Sequence, residues 1–200
     1  MDRVINIGIP HIGEQIFKSI NTSELIQFHT VSQTWKDLVE NVLYQRFKNN
    51  ACDVFFETNH AGVTKVFEIL LKRSSGGDDV DFIKRDDSSR TYLTGWTAFI
   101  LACFEDHRDV VKLILDYSSK VSIDLNATTI HGRTAFMVAC MWGKIDVVRL
   151  VLEHPGPIDI DLNAKNVKGL TAYDLALKYG KTEVVKLLQE YSKLKNIDLS

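Results

Sequence analysis

The chain has 200 residues, 24 Lys and Arg against 26 Asp and Glu, and 45% hydrophobic residues, a composition that excludes disordered and collagen-like sequence and fits one folded domain or two small ones. At that length a compact fold buries about 70% of the surface its unfolded chain exposes and needs no covalent staple, and Cys52, Cys103 and Cys140, odd in number and without a C-x-x-C pair, indicate neither a disulfide framework nor a zinc site and fit a reducing compartment. Divided at Gly95, the charges are 11 basic and 13 acidic before it and 13 of each from it onward, without the basic excess that phosphate binding wants, so nucleic acid is not an expected partner.

In chain order, Asp2, Arg3, Asn6 and Pro10 stand where a signal peptide needs an apolar core. The longest apolar run, Ala98 to Phe104, is far short of the ~20 residues that span a bilayer. The expectation is a cytoplasmic or nuclear chain with no membrane partner. The sequons at Asn21 and Asn126 are discounted on that ground.

Residues 1–50 carry helical periodicity. Ile12, Ile16 and Ile20 are spaced by four, Leu25 and Phe28 by three, and Trp35, Leu38, Val39, Val42 and Leu43 follow i, i+3, i+4, i+7, i+8. Asn21 followed by Glu24 reads as a capping box, and Ser32 as the cap of a third helix. The segment Ile9-Pro10, Glu14, Ile16-Phe17, Leu25, Phe28, Val31-Ser32, Trp35 and Leu38 resembles the F-box, with the departure that Glu14 lies four residues after Pro10 instead of two. That resemblance implies docking onto a Skp-family adaptor of a cullin-type ubiquitin ligase through Ile9, Pro10, Ile16, Phe17, Leu25, Phe28 and Val31. The competing reading is an amphipathic helical cap on a solenoid end.

Residues 51–91 are less regular. Lys65 to Leu71 reads as the second helix of a degenerate repeat with Cys52 to His60 as its first, and the polar stretch from Ser74 to Ser89 as a solvated insertion. Asp79, Asp81 and Asp86 lack the spacing of a calcium loop.

From residue 92 to 200 three blocks recur at a period of 37 residues. Gly95-Trp96-Thr97-Ala98-Phe99 returns at Gly132 and Gly169, Asp109-Val110-Val111-Lys112-Leu113 at Asp146 and Glu183, and Ile123-Asp124-Leu125-Asn126-Ala127 at Ile160. Each Gly suits a turn needing positive φ, and each following Thr suits a helix N-cap. The first helix then carries a stripe such as Phe99, Ala102 and Cys103, repeated as Phe136, Ala139 and Cys140 and as Tyr173, Ala176 and Leu177. Gly143 and Gly180 end it in left-handed caps, with Asp106 at the corresponding place in the first copy. A second helix follows with an acid in its first turn and Val110, Leu113 and Ile114 as its apolar stripe.

This order of turn, helix, turn, helix and Asp-Leu-Asn-Ala link resembles the ankyrin repeat. The period exceeds that family's ~33 residues, the extra length falling at Asp116 to Ser122 and at Glu153 to Asp159, where Pro155-Gly156-Pro157 breaks the helix. The resemblance implies that Trp96, Phe104 and Glu105, then Arg133, Met141 and Trp142, then Leu170, Lys178 and Tyr179 project onto a concave face and bind a target protein. The residues alone leave a second reading open, in which Phe104, Trp142 and Tyr179 pack between neighbouring first helices. In the last helix Lys181, Lys186, Gln189, Glu190, Lys193 and Lys195 form a polar outer side, and Val184, Leu187 and Leu188 face inward.

The chain carries no G-x-G-x-x-G, P-loop, H-E-x-x-H or G-x-S-x-G pattern. His107 reads as structural, and Cys103 and Cys140 as small core hydrophobes. The expectation is therefore an all-α protein, an F-box-like unit followed by an ankyrin-type solenoid, with no catalytic residue, cofactor or metal. Its partners would be a ligase adaptor and a target protein, or a target protein alone.

Overall fold

A computed structural model describes residues 21–27, 33–49, 60–75, 96–118, 120, 123–156 and 158–197. Among these residues every regular element is a helix. The chain divides into two compact units, Met1–Asp81 and Phe82–Ser200.

In the first unit α1 (Thr22–Gln27), α2 (Gln33–Asn49) and α3 (His60–Ser75) pack against one another. The Glu24 amide donates to Asn21 Oδ1 at 2.8 Å, the N-cap expected there. Leu25 meets Val39, Val42 and Leu43 of α2 and Val66, Phe67, Ile69, Leu70 and Leu71 of α3 as the buried set of this unit. Arg46 Nη1 donates to the buried Thr22 Oγ1 at 3.0 Å and ties α2 to the start of α1. Two expectations change here. The segment Lys65 to Leu71 belongs to a helix that begins at His60, so His60 does not close a preceding helix, and α3 runs through Ser74 and Ser75 into the stretch read as insertion.

The second unit is a stack of three helix pairs. The first helices are α4 (Ala98–Phe104), α6 (Ala135–Trp142) and α8 (Ala172–Lys178); the second helices are α5 (Arg108–Tyr117), α7 (Ile145–Leu152) and α9 (Thr182–Lys195). Each first helix packs on its neighbour in the stack and on the second helix that follows it, and the second helices form a row of their own. Burial follows from this layering. Ala98 to Cys103 and Ala135 to Met141 are buried all round, α6 lying between α4 and α8, whereas α5 buries only Val110, Val111, Ile114 and Leu115.

The Thr caps act as read. Thr97, Thr134 and Thr171 accept from the amides of Ile100, Met137 and Asp174 at 3.3, 3.2 and 3.2 Å, each a cap worth about 1 kcal/mol. Asp174 adds the reciprocal half of a capping box, accepting from the Thr171 amide at 2.9 Å. Before the caps Thr134 and Thr171 a tight turn is held by one buried side chain. Thr129 Oγ1 accepts from the amides of His131 and Arg133, and in the next copy Asn166 Oδ1 accepts from Lys168 and Leu170. Copies are stitched together by Asn126, whose Nδ2 donates to the Asp159 carbonyl and whose Oδ1 accepts from the Asp161 amide, both at 2.8 Å.

The left-handed position between paired helices holds Gly143 at φ 73° and Gly180 at φ 65°, but Asp106 at φ 62° in the first copy. Asp106 Oδ1 is also buried without a hydrogen-bond partner. Asp106→Gly should therefore stabilise the stack by about 1 kcal/mol, the relief of left-handed strain and of one unsatisfied oxygen outweighing the added freedom of the unfolded chain. Thermal unfolding measures it, and a lower melting temperature would contradict the assignment.

Candidate functional site

The ring of Trp96, the residue before the Thr97 cap, meets Phe104 edge-on, with centroids 5.1 Å apart and planes at 89°. Phe104 meets Trp142 in the same way at 5.2 Å and 83°. Edge-to-face contacts suit the ring quadrupoles. The contacts run from the beginning of α4 to its end and on to the end of α6, so the residue before an N-cap leans along the same side of the first helix as that helix's last residues. Trp96 is 8% exposed and Trp142 50%. The inner rings thus brace an outer one that solvent reaches.

Of the seven exposed large apolar side chains among the described residues, four keep the repeat period, while Leu177, Leu194 and Ile197 do not. Trp142 and Tyr179 (48% exposed) end successive first helices, and Ile130 (55%) and Val167 (70%) occupy the tips of successive turns. The tips are held together, since the Val167 amide donates to the His131 carbonyl at 3.2 Å. Gly132 makes this approach possible: at φ 69° a Cβ there would lie 2.9 Å from Val167 N. Between the tips and the helix ends stands Arg133, at the place of Trp96 in the preceding copy. It is half-buried, and its Nε is buried without a hydrogen-bond partner.

A family model described as Ankyrin repeats (3 copies) matches the chain over residues 36–166 and again over 120–199. The chain belongs to the ankyrin repeat family. No curated protein matches the chain, and no F-box family model matches its N-terminal segment.

On this ankyrin stack the nine residues expected on the concave face divide. Trp142, Lys178 and Tyr179 are exposed, and Phe104, Glu105, Arg133 and Leu170 are half-buried. Trp96 and Met141 are corrected: both are buried, Trp96 against the edge of Phe104 and Met141 within the all-round burial of α6, so they can brace a surface but do not form one. Packing between helices therefore describes Phe104 and not the half-exposed Trp142 and Tyr179. Sequence reading missed Ile130 and Val167. Their signal was an aliphatic residue at the same offset of two consecutive turns, where polar residues are the rule.

Of the residues expected to dock a ligase adaptor, Ile9, Pro10, Ile16, Phe17, Phe28 and Val31 lie outside the described residues. Leu25 is corrected. It is fully buried among α2 and α3, so it packs the first unit and Leu25→Asp would be a folding lesion and no test of docking.

Cys103 and Cys140 sit at equivalent, fully buried places in α4 and α6. Burial pushes both thiols up, well out of the ordinary range, with the Asp106 carboxylate adding to the effect at Cys103 and Cys103 itself at Cys140. Neutral and covered, they pack as small hydrophobes and cannot serve as nucleophiles. Leu177 holds the corresponding place in α8 but is 52% exposed, because no further first helix covers it among the described residues.

On the second-helix side a cleft of about 520 Å³ lies between the end of α7 and α9, lined among others by Arg149, His154, Pro155 and Tyr191. Arg149, Glu153 and His154 already have partners. Arg149 pairs with Glu153 at 3.1 Å; His154 Nδ1 accepts from the Gly156 amide, which leaves Nε2 to donate to Asp116 at 3.0 Å. Among the described residues no group of His, Cys, Asp and Glu could hold a metal ion, and no helix is long and apolar enough to cross a membrane.

Proposed function

We propose that this ankyrin repeat protein is a non-catalytic adaptor that holds a target protein along the edge formed by Trp142, Tyr179, Ile130 and Val167. The observation that carries the reading is the periodicity of exposure. Apolar residues exposed singly need no explanation, but two pairs in register across two repeats do, and Trp and Tyr are the side chains that dominate binding energy at interfaces.

The finer reading is a substrate receptor, with residues 1–50 docking a Skp-family adaptor and the repeats presenting the target. Its support is the pattern from Ile9 to Leu38, together with helices at Thr22–Gln27 and Gln33–Asn49 where that pattern asks for them. The competing reading is a scaffold unconnected with ubiquitin, favoured by a family match that begins at Lys36, inside α2.

Co-purification of the tagged full chain tests both levels. A receptor brings down a Skp-family adaptor, and Pro10→Ala loses it while target capture persists; absence of the adaptor leaves the scaffold. Trp142→Ala should cost on the order of 2 kcal/mol in affinity for the captured target with the melting temperature nearly unchanged, since half of the side chain is already in water. A large loss of stability with intact binding would overturn the edge.

A further inference from the structure

The ionised side chains of the two turn tips are all basic. From Ala127 to Thr134 and from Ala164 to Thr171 there is no acidic residue, while His131, Arg133, Lys165 and Lys168 all fall there. Of the acids of the same copies, Asp146, Glu153, Glu183 and Glu190 lie on the second helices or at their ends, whereas Asp124, Asp159 and Asp161 lie in the links that lead into the turns, where Asp124 and Asp161 accept from the Asn126 and Asn163 amides. Asp174, the acid of α8, is held by Thr171, whose amide and hydroxyl both donate to its Oδ2. Ion pairing follows the same division. Among the described residues of this unit the ion pairs are Arg108–Asp146, Arg149–Glu153 and His154–Asp116, and all belong to the second-helix row. The overall balance of 13 basic and 13 acidic residues from Gly95 onward thus conceals a basic turn edge.

That edge coincides with the exposed apolar pairs. Ile130 stands beside His131 in one tip, and Val167 stands between Asn166 and Lys168 in the next. Arg133 reaches the same side as the helix ends, by the equivalence that brings Trp96 onto Phe104, and its buried Nε has no acceptor from the chain itself. Arg133 enters no ion pair among the described residues, and its charge favours a carboxylate brought by a partner.

Resting on the target-binding reading above, we infer that the target is an acidic peptide segment with aliphatic or aromatic side chains, its apolar groups seated on the Ile130, Val167, Trp142 and Tyr179 pairs and a carboxylate on Arg133. A polynucleotide is the poorer occupant. Trp142 and Tyr179 present rings on which bases could stack, but Ile130 and Val167 offer only aliphatic surface, which suits apolar side chains of a polypeptide. Long-range attraction between the basic tips and an acidic segment would also speed association, an effect that falls with ionic strength.

The test is selection of a random dodecapeptide phage library on the full chain, followed by anisotropy titrations of selected peptides. The expected peptides are rich in Asp or Glu together with Leu, Ile, Phe or Trp, and their affinity falls with added salt. Lys165→Glu with Lys168→Glu, both exposed, should weaken binding about tenfold or more without moving the melting temperature, Arg133→Gln should weaken it as well, and Lys186→Glu on α9 should not. Neutral or basic peptides that are lost on Trp142→Ala would overturn the acidic inference and leave the edge reading standing. Peptides indifferent to Trp142→Ala and to the lysine pair overturn both. Binding of a labelled oligo-dT that is lost in the lysine pair, with no peptide selected, overturns the inference in favour of nucleic acid.

Discussion

A chain ending at Gly180 is expected to unfold at least about 10 °C below the full chain, as one cooperative loss. The helix removed, α9, carries Val184, Leu187 and Leu188, all buried, and each such side chain contributes about 1.5–3 kcal/mol by leaving water. It covers α7 and α8, so its removal opens the apolar sides of both. The remaining α8 is only seven residues long, too short to persist without tertiary contacts. In a stack where each copy rests on its neighbours, that loss passes inward. Calorimetry of the truncated chain checks it. An unchanged melting temperature would mean that α9 is an appendage and not the cover of the stack.

The second expected result separates two glycines that look alike in the sequence. Gly132→Ala should cost roughly 2–4 kcal/mol, and Gly169→Ala about 1 kcal/mol. Both residues have positive φ, 69° and 73°, so both substitutions bear left-handed strain. Only at Gly132 would the new Cβ also meet backbone, at 2.9 Å from Val167 N and 3.3 Å from Asn166 Cα; at Gly169 nothing lies within 4 Å. Because the Val167 amide donates to His131 beside Gly132, the same substitution parts the two tips and should weaken target binding beyond its effect on stability. Chemical denaturation of the two variants decides the matter, and equal losses would show that the tips are not in close contact in solution.

Much of this architecture is local chemistry and was therefore legible in one dimension. The Thr caps, the left-handed Gly at 132, 143, 169 and 180, and the substitute Asp106 depend on φ preferences and on hydrogen bonds within four residues. Exposure is another kind of property. Cys103, Cys140 and Leu177 share one repeat position, yet two are sealed and the third is open, because burial depends on whether a neighbouring copy follows. Trp96 and Trp142 both read as surface aromatics; the ring contacts through Phe104 bury the first and present the second.

By itself the sequence determined the period of 37, the Thr caps and left-handed ends of the repeat helices, and the ankyrin family, since these rest on the order and spacing of residue types. Only the tertiary structure decided which apolar residues stay exposed, Ile130 and Val167 among them, that Leu25 lies in a core, and that the ion pairs of the stack gather on the second-helix row. The physical reason is that periodicity records a residue's phase within its own element, whereas solvent contact and charge pairing are set by elements distant in sequence that fold against it.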